Sequence, residues 1–345
     1  MYTVRKRNAL VILLVMAILG VLGYMYVCFT RELNVPDSGY VVDIRPGDTS
    51  AKTINELASN GVIQWPMLFR AYLKFSGLDR NIKAGEYLIS PGFTFKSLLE
   101  KIDRGDVILR EVTLVEGWTV KQAIHHLCLQ PEIICTLNGD PKAVIPLIHT
   151  IASRDNPEGM LYPDTYRFSR GTTDAEIVKK ANAKLLEVLE NAWKARDENT
   201  PLRSPYEALI LASIVEKETS LTAERRKIAG VFVRRLLQNM RLQTDPTVIY
   251  GLGDEYDGNI TRDQLQQFSP YNTYKIDGLP PTPIALTGED SINAVLHPDA
   301  GDELYFVARG DGAHEFSSNL EEHNRNVYKY QVKPNTKSVR QGTQK

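Results

Sequence analysis

Ser204-Pro205-Tyr206-Glu207-Ala208-Leu209-Ile210-Leu211-Ala212-Ser213-Ile214-Val215-Glu216-Lys217-Glu218-Thr219 reads as one helix that ends in a pair of carboxylic acids. Ser204 supplies an N-cap oxygen, Pro205 occupies the first helical position, and Glu207 stands three residues after the cap, the elements of a capping box. No charge interrupts Ala208 to Val215, so the helix lies largely inside its domain. At about 100° per residue, Glu218 falls roughly 20° from Leu211 and projects from the apolar stripe, whereas Glu216 points about 140° away toward the less apolar side. A carboxyl at the end of a buried stripe has two explanations. It is a structural residue paired with Arg225 or Arg226 just downstream, or it is an acid whose proton affinity is raised by desolvation into the range useful for proton donation near neutral pH.

Working outward, Ile177, Ala181, Leu185, Val188, Leu189 and Ala192 recur at helical spacing and predict a long amphipathic helix over 174–195. Val112 to Val115 reads as a strand, with a turn at Glu116-Gly117 and an amphipathic helix running to Leu127. Upstream, Tyr40 to Ile44 predicts a strand stopped by Pro46-Gly47. Helices are expected at 53–59 and 65–75, a short strand at 83–89, and a third helix at 95–102. The fold class is therefore α+β, with a small module over about 39–110 and a larger domain over about 111–335. Residues 336–345 form a polar tail.

The first thirty residues differ in kind. Arg5, Lys6 and Arg7 precede an uncharged run from Ala9 to Phe29, which as a helix spans roughly the 30 Å of a bilayer core. The basic residues before it place residues 1–8 in the cytoplasm and everything after about residue 32 outside it. No small-x-small site follows the run, which favours an anchor over a cleaved signal peptide. Val27 before Cys28 is not the small residue that lipidation needs.

A net charge of −1, from 41 basic and 42 acidic residues, provides no phosphate-neutralising surface and argues against nucleic acid as a partner. Cys128 and Cys135 fall in the exported part, where a disulfide is permitted; two free thiols fit the sequence equally. Neither has zinc-site spacing, and His314-Glu315 lacks a second histidine because Ser318 stands in its place. No metal or cofactor is expected. The sequence contains no Gly-x-x-x-x-Gly-Lys-Ser/Thr loop, no complete dinucleotide fingerprint, no Gly-x-Ser-x-Gly and no Ser-x-x-Lys.

Several segments share one resemblance. Ala212 to Thr219, Glu158-Gly159-Met160-Leu161-Tyr162-Pro163-Asp164-Thr165-Tyr166, Arg241-Leu242-Gln243-Thr244-Asp245-Pro246-Thr247-Val248-Ile249-Tyr250-Gly251, Tyr271-Asn272-Thr273-Tyr274 and Gly278-Leu279-Pro280-Pro281 are similar to the MltG (YceG-like) family. His297-Pro298, Tyr305 to Ala308 and Gly312 to Asn324 follow more loosely. Met160 and Leu161 stand where larger aromatics are usual. The Pro46-Gly47-Asp48-Thr49 opening and the Gly61-Val62-Ile63 step of the small module resemble a LysM-like fold, a type that commonly holds glycan; a purely structural spacer is the alternative.

The resemblance implies an inner-membrane-anchored endolytic lytic transglycosylase with a periplasmic catalytic domain. It implies Glu218 as the single acid/base, peptidoglycan strands as substrate, and peptidoglycan synthases and other elongation or division proteins as partners. Such chemistry cuts the β-1,4 bond between N-acetylmuramic acid and N-acetylglucosamine, leaves 1,6-anhydromuramic ends, and limits nascent strands. It needs no second carboxylate, although most glycosidases use two. Gln243, Asp245, Tyr271 and Asn272 offer amides, a carboxylate and a phenol on Pro- and Gly-bounded segments suited to binding a sugar. Asp245 before Pro246 also fits an Asx-turn or a helix N-cap, and Asp164 fits local turn chemistry. A catalytically silent glycan-binding scaffold and a hydrolytic muramidase are the rival functions.

Overall fold

A computed structural model describes residues 2–77, 82–149, 151 and 156–332. The polar tail expected at 336–345 lies outside the described residues, as do the side chains of Arg5, Lys6 and Arg7. The chain forms two compact units, one from the described parts of 1–110 and 167–171, the other from those of 111–166 and 172–345.

The first unit opens with α1 (Tyr2–Thr30), whose stretch Ile12–Thr30 is long and apolar enough to cross a membrane. It continues with β1 (Tyr40–Ile44), α2 (Ser50–Ser59), α3 (Pro66–Ser76), β2 (Gly85–Ile89) and α4 (Phe95–Arg104). β1 and β2 pair antiparallel, with Tyr40 opposite Ile89 and Ile44 opposite Gly85. The period-2 alternation turns Val42 and Ile44 inward, where they meet Tyr87, Ile89, Ile54, Leu57, Phe69, Leu73, Phe95 and Leu98 in one apolar core. α2 starts three residues before the periodicity predicts, because the Thr49 hydroxyl accepts from the Lys52 amide and caps it there.

β3 (Arg110–Thr113) pairs with β4 (Thr165–Phe168) in a second two-stranded sheet. The second unit contains α5 (Val120–Cys128), α6 (Asp174–Lys194), α7 (Pro205–Glu218), α8 (Thr222–Leu237), α9 (Asp245–Leu252), α10 (Arg262–Gln266), α11 (Glu289–Leu296), a hairpin of β5 (Tyr305–Ala308) and β6 (His314–Ser317), and α12 (Leu320–Val327). The fold is mixed α+β, with three small two-stranded sheets among the described residues.

α7 is the axis of this unit. Tyr206 and every residue from Ala208 to Val215 are buried, and α6, α8, α9 and α11 pack around it. A helix apolar on all sides has to be enclosed in this way. Its cap is half of a box: the Ser204 hydroxyl accepts from the Glu207 amide at 3.2 Å, while the Glu207 carboxylate reaches past the cap to the Arg203 amide at 2.7 Å. Ser213, the polar residue in the buried run, donates to the Ile210 carbonyl and accepts from the Ile284 amide, so its hydroxyl is satisfied. Cys128 and Cys135 are joined by a disulfide, with Cα atoms 4.9 Å apart.

Candidate active site

α7 delivers Glu216 and Glu218 into different surroundings, and the arginines decide which is which. Arg225 on α8 binds Glu216 at 2.9 Å, and Glu216 also accepts from the Gly288 amide at 3.1 Å. The Glu216 side chain is 4% exposed, so the less apolar side expected for it is the inside of a buried ion pair. Burial pushes its carboxyl up, and a hydrogen bond from Ser291 and the Arg225 charge oppose the rise without cancelling it. Arg226 is occupied by Asp299 at 3.1 Å. Neither arginine reaches Glu218.

Glu218 is the last residue of α7 and keeps a partly accessible face. The protein packed around the carboxyl desolvates it and pushes its pKa up to about 7. The neighbouring Asp245 charge adds to this rise, while a hydrogen bond from Thr244 and the proximity of His314 oppose it. The Thr244 hydroxyl donates to Oε1 of Glu218 in a short contact.

Thr244 is the N-cap residue of α9, but its hydroxyl caps nothing because Glu218 takes it. A buried threonine cluster fixes its position. The Thr244 amide donates to the Thr273 hydroxyl at 3.0 Å, the Thr247 hydroxyl donates to the Thr244 carbonyl at 2.8 Å, and the Thr247 and Thr273 hydroxyls lie 2.9 Å apart.

Gln243 and Asp245, the residues on either side of Thr244, are both exposed. Gln243 holds a left-handed φ of 52°, a conformation uncommon for a residue with a side chain. Buried Arg235 clamps this turn: it donates to the carbonyls of Arg241 at 3.0 Å and Leu242 at 2.9 Å, and to the Gln243 side chain at 3.3 Å. Asp245 is neither an N-cap nor an Asx-turn residue. It is the first residue of α9, and its carboxylate accepts from the Tyr274 hydroxyl at 2.6 Å.

Asn272 is placed differently from a sugar ligand. It is 1% exposed, its amide nitrogen donates to the carbonyls of Gln264, Leu265 and Gln267, and its amide oxygen accepts from the Tyr274 backbone at 3.0 Å. That network shapes the loop that carries Tyr274. Tyr271 is half-buried, with its hydroxyl 2.9 Å from that of Thr282 and its ring edge-on to Tyr250 at 4.9 Å. Asp164 belongs to a turn, where it accepts from the Thr165 amide and pairs with Lys184.

Sequence reasoning gave no role to Thr244, Tyr274, Arg235 or Glu158. All but Arg235 stand inside quoted motifs, but a polar side chain acquires its role only from what it meets across the fold. Glu158 is 6% exposed and accepts from the Val120 and Gly159 amides and from the Tyr250 hydroxyl; burial pushes it up to about 7. His314 sits on β6 with its Nδ1 2.8 Å from Glu224 of α8. The donor atoms of Cys128, Cys135 and Asp174 lie within 4.8 Å of one another. The sulfurs are consumed by the disulfide, and the Asp174 carboxylate by the amides of Thr136, Leu137 and Ala175, so this cluster is not a metal centre.

A carboxyl pushed up to about 7, with no lysine or arginine bound to it among the described residues and with a hydroxyl donor and a second carboxylate beside it, has the features that acid/base chemistry requires. The chain belongs to the YceG-like family, whose model matches residues 42–329. It is similar to the endolytic murein transglycosylase of Bacillus subtilis (strain 168), at 32% identity over 312 residues that cover 86% of each chain. The endolytic murein transglycosylase of Streptococcus pneumoniae serotype 2 (strain D39 / NCTC 7466) is 27% identical in an alignment, gaps included, of 361 positions that covers 92% of this chain and 63% of that longer relative. The crystal structure of a yceG-like protein from Listeria monocytogenes matches with a TM-score of 0.52 and 31% identity, over 84% of this chain and 99% of that one.

Proposed function

We propose that the protein is an endolytic murein lytic transglycosylase in which Glu218 is the sole acid/base. The observation that carries this reading is the state of Glu218: a carboxyl pushed up to about 7 at a helix end, partly accessible, and paired with a hydroxyl instead of an arginine. The names of the Bacillus and pneumococcal relatives support the same activity.

In this mechanism the protonated Glu218 gives its proton to the glycosidic oxygen between N-acetylmuramic acid and N-acetylglucosamine as the C1–O bond breaks. The resulting carboxylate takes the proton of the muramic C6 hydroxyl, whose oxygen closes on C1. One proton enters and one leaves, so the enzyme is restored without water and the product carries a 1,6-anhydro end. A pKa close to ambient pH suits both halves of the cycle. Thr244 orients the carboxyl through its donated hydrogen bond. Gln243 and Asp245, exposed on the same turn, are the sugar-binding candidates, with Tyr271 further along the 271–274 loop, and Asn272 acts by holding that loop. A polymeric substrate requires the site to open to a groove and not to a closed pocket.

The N-terminal helix anchors the chain in the cell inner membrane, with residues 1–8 cytoplasmic and the catalytic domain of 111–335 periplasmic. The 39–110 module is LysM-like and holds glycan close to the membrane. Cutting there limits the length of nascent strands and brings the enzyme beside peptidoglycan synthases.

A second reading rests on Asp245, a carboxylate near enough to raise Glu218 and held by Tyr274. With Asp245 activating water, the same site is a hydrolytic muramidase. Mass spectrometry of digested peptidoglycan separates the readings: anhydro ends for the transglycosylase, reducing ends for the hydrolase, and intact strands for a scaffold without catalysis.

A further inference from the structure

The end of the apolar helix does not leave the first unit on a free tether. Cys28 is 3% exposed, and Phe29 packs against Phe69, Tyr72 and Phe95 with ring centroids 5.2, 4.3 and 5.6 Å away. The residues that follow are tied down at once. The Leu33 amide donates to the Phe93 carbonyl at 2.7 Å, and the Asn34 amide to that of Val62 at 3.1 Å. One turn earlier, Tyr24 meets Trp65, the residue that opens α3, edge-on at 5.9 Å. The guanidinium of Arg31 stands 6.0 Å from the same indole.

These contacts create a problem of depth. Tyr24 lies six residues before Thr30, about 9 Å along the helix axis. The run Ala9 to Phe29 needs nearly its whole length to cross a hydrocarbon core of about 30 Å. If the bilayer ended below Tyr24, the remaining Ala9 to Gly23 would reach only about 22 Å. Using the full run instead puts Tyr24 about 7 Å inside the hydrocarbon boundary and brings Trp65, packed against it, with Met67 two residues beyond, to the outermost acyl region just beneath the headgroups.

The surface at that level is chemically suited to the position. Met67 is 82% exposed, Tyr26 71% and Tyr24 53%; with Trp65 they place around the emerging helix the Trp and Tyr side chains typical of a membrane interface. A cavity of about 550 Å³ opens beside it, where Arg31, Glu32, Asn34 and Gln64 share the wall with apolar side chains that include Trp65 and Phe69, a mixed polar and apolar lining. An isolated exposed methionine is ordinary. One held beside the emerging span by rings and backbone hydrogen bonds is not isolated.

We infer that Trp65-Pro66-Met67 is a second membrane contact, inserted where the headgroups meet the outermost acyl chains of the leaflet from which α1 emerges. It fixes the first unit on the bilayer surface. This inference rests on reading α1 as a membrane anchor, and the test separates the two.

The chain has three tryptophans, so Trp118→Phe with Trp193→Phe leaves Trp65 as the only indole. The full-length double variant is reconstituted in phosphatidylcholine/phosphatidylglycerol vesicles that carry a nitroxide either at a shallow or at a deep acyl position. Co-flotation with the vesicles is measured first, then quenching of Trp65. The inference requires flotation, at least twofold stronger quenching by the shallow label than by the deep one, and weak quenching by aqueous iodide. Adding Met67→Asp, an exposed substitution that leaves the core intact, is expected to halve the lipid quenching. Flotation with iodide quenching and no nitroxide quenching overturns the second contact and leaves the anchor standing. A chain that does not float overturns both.

Discussion

Glu216 and Glu218 share a helix, a side-chain type and a nearly apolar neighbourhood, yet the fold treats them oppositely. Glu216 is shut in with Arg225 and a backbone amide; Glu218 receives a threonine hydroxyl and faces a second carboxylate, with His314 as the nearby opposing charge. The pairing partner, more than burial, separates a structural acid from a reactive one. Burial raises both carboxyls, but Arg225 opposes the rise at Glu216, while no arginine does so at Glu218, whose carboxyl is pushed up to about 7, the range a proton donor needs.

The largest expected effect concerns Glu218. Glu218→Gln keeps the shape and the Thr244 contact but removes the proton, and anhydro-product formation is expected to fall by roughly 100-fold to 10,000-fold. The protein stays folded. A carboxyl whose folded pKa is raised to about 7 binds its proton more tightly folded than unfolded. Its contribution to stability is present below the unfolded value near 4.5 and is lost as pH rises through about 7. Glu218→Gln is therefore expected to be more stable than the parent at pH 8, by roughly 1–3 kcal/mol, and to match it at pH 4; thermal midpoints at the two pH values measure this.

The opposite sign is expected at the other acid. Arg225→Met strands Glu216 and is expected to cost about 3–5 kcal/mol of stability. Activity per folded molecule at low temperature is expected to be largely retained. Glu216→Gln is milder, because Arg225 keeps Glu116 at 3.6 Å and Asp290 at 3.7 Å. Denaturant titration alongside product assays checks both. If Glu216→Gln abolished turnover while Glu218→Gln retained it, the division of roles would be reversed.

The loop that faces Glu218 gives a smaller contrast. Asn272→Ala frees three backbone carbonyls and is expected to cost about 1–3 kcal/mol, with KM for glycan raised as Tyr274 and Asp245 lose register. Thr244→Val removes a hydrogen bond that favours the carboxylate. It is expected to lower the rate about tenfold and to move the alkaline limb of the pH profile upward, while Thr244→Ser restores both.

Local signals made α7 legible: Ser204, Pro205 and Glu207 mark its start, the uncharged run marks its burial, and helical phase puts Glu218 on the apolar side. α6 was readable for the same reason, with Thr173 capping it through the Glu176 amide. What phase cannot supply is the partner. That Arg225 chooses Glu216 over Glu218 depends on how α8 folds back along α7. Thr244 reaches Glu218 across 26 residues, and its position depends on Thr273, 29 residues further on. Asn272 shows the limit from the other side: an amide in a loop reads as a ligand for sugar, and only the fold shows its donors spent on Gln264, Leu265 and Gln267. The cysteines were undecidable for the same reason, since a spacing of seven fits either thiols or the disulfide that forms.

The most direct test of the contrast is the pH dependence of kcat/KM for anhydro-product release from defined glycan strands, which reports the ionisation of the free enzyme. If neutral Glu218 is the acid, kcat/KM falls about tenfold per pH unit above about 7, the value to which burial raises the carboxyl. A profile that stays flat from pH 6 to 9, or that falls only on acidification through about 4.5 as an ordinary ionised glutamate would, contradicts it.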